Sequence, residues 1–198
     1  MKPTVVIAHS DFDDDLAVER AVLRPLDAHI IHTGNLTEPD ALTAVKEADA
    51  LMVTLERVTA PIINSMDRCR VISRAGTGLD TIDIPTATAR GIWVAYVPDY
   101  SIDEVSTHAI ALLLAQARGL TPLFQSTRNG QWDPMRSGPI HRLRTQTLGI
   151  IGFGRIGQAT AAKGRGLGLR VLAFDPIVDR KAMAQLGVEA VDLETLAR

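Results

Sequence analysis

Cysteine is almost missing from this chain. Cys69 stands alone, so no internal disulfide can form and no metal site of paired cysteines can be built. Aromatic residues are scarce, at 4%, which removes the stacking platform that single-stranded nucleic acid requires and leaves packing to Ala, Val, Leu and Ile. An excess of positive charge is also lacking. With 21 Lys and Arg against 23 Asp and Glu the formal net charge is -2, which argues against direct nucleic-acid binding. No apolar run approaches the roughly 20 residues of a membrane span; the longest covers residues 109–115. The N-terminus enters a strand-like run without a basic flank, so no signal peptide is expected and the default compartment is the cytoplasm. What remains is an ordinary soluble balance, 46% hydrophobic and 22% charged in 198 residues, enough for one large domain or two small ones.

Apolar runs alternate with helical patterns from the start. Strands are expected at residues 4–8, 29–31, 50–54, 70–73 and 92–97, with helices at 13–23, 38–48, a short one opened by Pro61, and 85–90 closed by Gly91. In the first helix Val18, Ala21 and Val22 form the apolar spacing. Alternation of this kind implies a parallel sheet covered on both faces. Pro98 breaks the series. The longest helix, 102–118, follows, with Ser101 and Glu104 spaced as a capping box. Residues 121–144 read as a helix and then a surface arm, before a second βα series begins at Thr147. The boundary is placed near residues 98–101, giving domains 1–99 and 100–198.

The second series carries the most specific signal. Leu148 to Ile151 is a buried strand, Gly152-Phe153-Gly154-Arg155-Ile156-Gly157 turns it into a helix over 156–167, and a second strand over 170–174 ends at Asp175. Each glycine has a task in a dinucleotide fingerprint: Gly152 permits the tight turn, Gly154 lets backbone approach a pyrophosphate, and Gly157 lets the helix pack closely. The pyrophosphate sits at the helix N-terminus, where free N–H groups and the dipole favour an anion. Asp175 stands close to the expected offset of about 20 residues. There it can accept both adenosine-ribose hydroxyls and repel a 2′-phosphate, which favours NAD over NADP. Strand, turn, helix, strand and acid together make a nicotinamide dinucleotide the expected cofactor.

A second glycine-rich loop, Arg74-Ala75-Gly76-Thr77-Gly78-Leu79-Asp80, leaves the fourth strand. Successive N–H groups in such a loop can hold a small carboxylate, although by itself the pattern reads more readily as a turn. Asp11, Asp13, Asp14 and Asp15 lack the ligand spacing and glycine turn of a cation loop and are read as a solvated helix start. His9, His29, His32 and His141 show no ligand spacing, Ser73 and Ser106 no nucleophile elbow, and Cys69 is read as core. Asp103 and Glu104 are assigned to capping, and His108 to a buried structural role. No metal is expected.

Residues 74–83 (RAGTGLDTID), Gly91-Ile92, Val97-Pro98, the helix 103–118 (DEVSTHAIALLLAQAR) and residues 147–176 (TLGIIGFGRIGQ…AFDP) together resemble the D-isomer-specific 2-hydroxyacid dehydrogenase family, in its phosphoglycerate dehydrogenase and C-terminal-binding-protein-like branch. The resemblance implies a flavodoxin-like substrate domain followed by the first half of a Rossmann NAD-binding domain. It implies an NAD-dependent oxidoreductase passing hydride between NAD(H) and a 2-hydroxy or 2-oxo acid, or alternatively an NAD(H)-sensing corepressor-like binding protein without turnover. It assigns Gly76 and Thr77 to the substrate, Thr77 also to the cofactor, Arg155 and Ile156 with Gly152, Gly154 and Gly157 to the pyrophosphate, and Asp175 to the ribose. It also implies a homodimer, with the arm 121–144 contributing. The family's catalytic Arg, Glu and His are expected beyond Arg198, so the 198-residue chain alone is expected to be inactive and to leave the strand 148–151 at an open edge. Against the family pattern, Tyr96 replaces an Asn that braces the neighbouring loop, Thr81 an Asn after Asp80, and Thr107 an acid before His108; Lys163 and Gly164 are unusual interruptions of the first Rossmann helix.

Overall fold

The computed structural model describes residues 2–8, 15–33 and 38–198, and divides into two compact units, Met1–Tyr100 and Ser101–Arg198. His9, Asp11, Asp13 and Asp14 lie outside the described residues.

The first unit is built on five parallel strands: β1 Thr4–Ala8, β2 His29–His32, β3 Ala50–Val53, β4 Val71–Arg74 and β5 Trp93–Ala95, in the order β2-β1-β3-β4-β5. This is the flavodoxin-like order. Strand β1 shows why an unbroken apolar run belongs in the middle of a parallel sheet. Val6 and Ala8 enter one core cluster with Leu51, Val53, Ile63 and Ile72, while Val5 and Ile7 enter another with Leu16. Helices α1 Ala17–Leu23, α2 Glu38–Ala44, α3 Ala60–Ser65 and α4 Ile84–Ala89 connect the strands. Helix α4 is started by Asp83, whose carboxylate accepts the Thr86 N–H at 2.9 Å, with Pro85 in its first turn.

Two helices depart from their expected extents. Helix α1 begins at Ala17 rather than residue 13, because Leu16 adopts a left-handed conformation (φ 49°) that cannot continue a helix. Leu16, just before it, and Leu23, at its end, pack into the core, whereas Val18 and Val22 are exposed; the apolar spacing was right in period and wrong in phase. Helix α2 stops at Ala44 instead of 48. The Asp49 N–H must pair with Thr4 O and the Asp67 N–H with Lys46 O, so the backbone after Ala44 turns to enter β3.

The second unit opens with α5 Ile102–Ala117 and α6 Leu120–Arg128, followed by short 3₁₀ turns at Pro134–Ser137 and Leu143–Thr145. Then come β6 Thr147–Ile151, α7 Arg155–Gly166, β7 Arg170–Phe174, α8 Arg180–Gln185, β8 Glu189–Ala190 and α9 Leu193–Ala197. The three strands are parallel in the order β6-β7-β8, one βαβαβ half of a doubly wound sheet. Strand β6 is an edge of this sheet, and Ile151 at its end is 72% exposed.

The expected capping box at Ser101 does not form. Ser101 sits at ψ 10°, without a side-chain cap bond, whereas an N-cap needs extended backbone to aim its hydroxyl at the first turn. Asp103 instead pairs with Lys163 at 2.6 Å. The Lys163 ammonium also donates to Ser106 Oγ at 2.6 Å, and Ser106 is fully buried. Lys163 and Gly164 therefore do not interrupt α7, which runs unbroken through them. Lys163 ties α7 to α5, and Gly164 allows close packing on β6, since a Cβ there would lie 2.6 Å from Leu148 Cδ2.

Thr81 Oγ1 is buried without a hydrogen-bond partner. An orphaned hydroxyl costs the folded state its hydration, so Thr81→Val, which keeps the shape, is expected to raise stability by about 1 kcal/mol. Urea unfolding measures this; a lower midpoint for the variant would contradict it.

Candidate cofactor and substrate sites

The turn after β6 is shaped by backbone geometry. Gly152 has φ 89°, which an L side chain rarely adopts, and its N–H donates to Phe174 O at 2.8 Å. Phe153 is fully buried and anchors the turn in the core. Gly157 lies so close to the turn that a Cβ would fall 2.2 Å from Gly152 O. A Cβ on Gly154 would meet nothing within 4 Å, so the protein leaves open the space above this residue. Gly154 is also the N-cap of α7 and brings no side-chain cap, and the first turn holds no acid. The result is a helix N-terminus with open space beside it and no acid in its first turn, the arrangement that suits an anionic oxygen. Arg155 is exposed, and Ile156 is 40% exposed beside it.

Asp175 follows β7 and reaches back to this turn. One carboxylate oxygen accepts the Phe153 N–H at 2.7 Å. The other accepts Ile177 N–H at 2.8 Å and Val178 N–H at 2.9 Å. These bonds, Phe153 first, then Val178 and Ile177, hold the carboxyl below its ordinary range. Both oxygens are thus engaged by backbone before any hydroxyl arrives.

In the first unit the loop after β4 is compact. Gly76 is buried, while Thr77 and Gly78 are exposed. The Val97 N–H donates to Gly76 O at 3.1 Å, so backbone braces the loop where Tyr96 stands in place of the family's Asn. Two residues that the sequence reading left without a role also gather here. Arg74 donates from Nε to Thr54 O at 3.1 Å, and its Nη1 lies 2.8 Å from where a Gly76 Cβ would be. Glu56 Oε2 accepts the N–H groups of Thr54 at 2.9 Å and Leu55 at 3.0 Å. Arg74 was legible as the only cation of the RAGTG motif, at the carboxyl end of a strand; nothing in the sequence signalled Glu56.

His108, expected to be buried, is exposed on α5, because that helix turns only Ser106 and Ile110 fully inward. Cys69 is buried in the core as expected, and burial pushes its thiol up. Among the described residues no group of His, Cys, Asp and Glu could hold a metal ion, and no helix is long and apolar enough to cross a membrane.

Comparison with known proteins agrees with this architecture. Residues 12–198 match the family model described as D-isomer specific 2-hydroxyacid dehydrogenase, catalytic domain. D-3-phosphoglycerate dehydrogenase of Methanocaldococcus jannaschii is 37% identical over 158 residues, 79% of this chain and 30% of that enzyme. The enzyme of the same name from Mycobacterium leprae is 39% identical over 156 residues, 78% of this chain and 29% of its own length. The chain thus spans about a third of the curated relatives it matches. Among solved structures, D-lactate dehydrogenase of Aquifex aeolicus, complexed with NAD and lactic acid, superimposes with a TM-score of 0.84 at 25% identity, over 97% of this chain and 57% of that one. The apo D-lactate dehydrogenase of Escherichia coli gives 0.76 at 28% identity, over 98% and 61%. A doubly wound first unit, a glycine turn closed by an aspartate and a family match over nearly the whole sequence lead to one conclusion: the chain belongs to the D-isomer specific 2-hydroxyacid dehydrogenase family.

Proposed function

We propose that the protein is an NAD-dependent oxidoreductase acting on a small 2-hydroxy or 2-oxo acid, with residues 1–99 as substrate domain and 100–198 as cofactor domain. The observation that carries this reading is the glycine turn of the second unit, with open space above Gly154 and Asp175 tied to the turn. NAD supplies the hydride acceptor or donor, so that the 2-oxo acid, NADH and a proton balance the 2-hydroxy acid and NAD⁺. The residues of this chain do the holding. Gly152, Gly154 and Gly157 shape a seat for the pyrophosphate, and Arg155 and Ile156 present the first N–H groups of α7. Asp175 faces the adenosine ribose and disfavours a 2′-phosphate by its charge. Gly76 and Thr77 offer loop N–H groups to the substrate carboxylate, the family resemblance also assigns Thr77 to the cofactor, and Arg74 adds a guanidinium that suits a carboxylate. Calorimetric titration with NAD and ADP-ribose, and NADH oxidation with small 2-oxo acids, test the reading. Absence of dinucleotide binding would sink it.

A homodimer and a cytoplasmic location belong to the same proposal. Leu112, Leu120, Phe124, Trp132 and Met135, all on α5, α6 and the arm, are each more than half exposed, a density of apolar side chains that favours a covered surface. Phe124→Glu, with an exposed side chain on α6, is expected to leave the fold intact and shift sedimentation from dimer to monomer. A dimer of unchanged stability would remove α6 from the interface.

A further inference from the structure

In an open parallel sheet the ligand crevice lies beyond the carboxyl ends of the strands, at the point where strand order reverses. In the order β2-β1-β3-β4-β5 that point lies between β1 and β3. The residues that leave β3 are Thr54, Leu55 and Glu56. The N–H groups of Thr54 and Leu55 converge on one oxygen of Glu56, at 2.9 and 3.0 Å. Two successive N–H groups make a cradle for an anionic oxygen. Here the protein's own carboxylate fills it.

The neighbouring strand end shows what charge remains for a ligand. Val53 is in register with Arg74, and the Arg74 side chain bonds Thr54 O and lies over Gly76. Asp80 Oδ1 lies 2.8 Å from where a Cβ on Gly78 would be. Among the described residues, these contacts place the Arg74 guanidinium and the carboxylates of Glu56 and Asp80 at the strand ends. A substrate carboxylate can use the guanidinium and the loop N–H groups. A second anionic group, above all a phosphate, would meet Glu56 with its cradle already filled.

We propose that Glu56 is a specificity-determining residue that confines the substrate to 2-oxo acids with uncharged side chains and excludes phosphorylated ones. This rests on the dehydrogenase reading above, and separates the chain in substrate from its relatives named for D-3-phosphoglycerate. Exclusion comes from a repulsive element built against the competitor, the like charge that a second anionic group would meet at this strand end.

The test compares NADH oxidation with 2-oxobutyrate and with 3-phosphohydroxypyruvate, using the protein and Glu56→Gln. The unsubstituted protein is expected to favour 2-oxobutyrate by about 100-fold or more in kcat/KM. Glu56→Gln keeps the shape, removes the charge, and should narrow that ratio by about tenfold or more, mainly through KM for the phosphorylated acid. Preference for the phosphorylated acid, or an unchanged ratio in the variant, overturns the proposal. A second measurement needs no turnover. Glu56→Ala frees the two N–H groups, so inorganic phosphate, followed by calorimetry, should bind the variant about tenfold or more tighter than the unsubstituted protein. No gain in phosphate binding also overturns the proposal. Turnover is not expected of these 198 residues alone, so where none is seen with any 2-oxo acid the dinucleotide titration judges the dehydrogenase reading and the phosphate titration judges Glu56 by itself.

Discussion

Gly154→Val is expected to abolish dinucleotide binding without changing thermal unfolding, whereas Gly157→Ala is expected to open the second unit itself. The two glycines belong to one motif but meet different surroundings. Gly154 has extended backbone, φ -68° and ψ -166°, which any residue adopts, and an added Cβ touches no protein atom within 4 Å. A side chain there costs the fold little and occupies the space proposed for the pyrophosphate. At Gly157 the added Cβ would lie 2.2 Å from Gly152 O and 3.2 Å from Gly152 C. Both are backbone atoms, so no rotamer change relieves the clash. Helix α7 must move off the turn, an overpacking of about 3 kcal/mol. Scanning calorimetry with and without NAD separates the outcomes. Unchanged NAD affinity in Gly154→Val would show that the turn is not the phosphate seat. An unchanged melting temperature in Gly157→Ala would show that α7 does not rest on Gly152.

The alternation of apolar runs and helical patterns made the five strands of the first unit legible, because a strand buried on both faces is an unbroken run such as residues 5–8. Helix phase and helix ends were less legible. Val18 and Val22 mark a helical period, but Leu16, two residues before Val18 and outside the helix, takes the buried place. The end of α2 at Ala44 depends on hydrogen bonds from Asp49 and Asp67 to backbone distant in sequence, which no local pattern announces. At Ser101 and Glu104 the residue types matched a capping box while the backbone angle did not.

The candidate site was legible where backbone sets it. The glycines at 152, 154 and 157 each leave a pattern in the sequence because a side chain at that place would disturb the turn, the proposed ligand space or the helix. Side chains that act by folding back were not legible. Glu56 bonds its own two preceding N–H groups, a short-range act that many surface glutamates could perform; what gives it meaning is its place at the end of β3 beside Arg74, which only the sheet order supplies. The exposure of His108 was hidden for a related reason. Which face of α5 is covered depends on its packing against α7, through Lys163 and Ser106.

Asp175→Ala is expected to weaken NAD binding by roughly 10- to 100-fold, as loss of charge-assisted bonds does, and to narrow the preference for NAD over NADP. Two effects combine. The first is the ribose, which the position of Asp175 at the end of β7 suggests. The second is the turn. The carboxylate ties Phe153, inside the glycine motif, to Ile177 and Val178 beyond β7, so removing it releases the segment proposed to seat the pyrophosphate. A carboxylate offers about four acceptor positions. Three N–H groups are already bound, so the proposed ribose contact shares the carboxylate with the bonds that hold the turn. The same bonds set the pH dependence. They hold the folded-state carboxyl below its ordinary range, so their contribution is complete above the unfolded value and is lost only as pH falls through the lower folded value. The unsubstituted protein should therefore keep its turn, and its NAD affinity, through the mildly acidic range, with the Asp175 contribution failing only below it. Hydrogen exchange at the Phe153, Ile177 and Val178 amides, with calorimetric Kd values for NAD and NADP, checks both parts. Unaltered exchange at Phe153 in Asp175→Ala would show that the carboxylate does not hold the turn. An unaltered ratio of NADP to NAD affinity would remove it from the ribose.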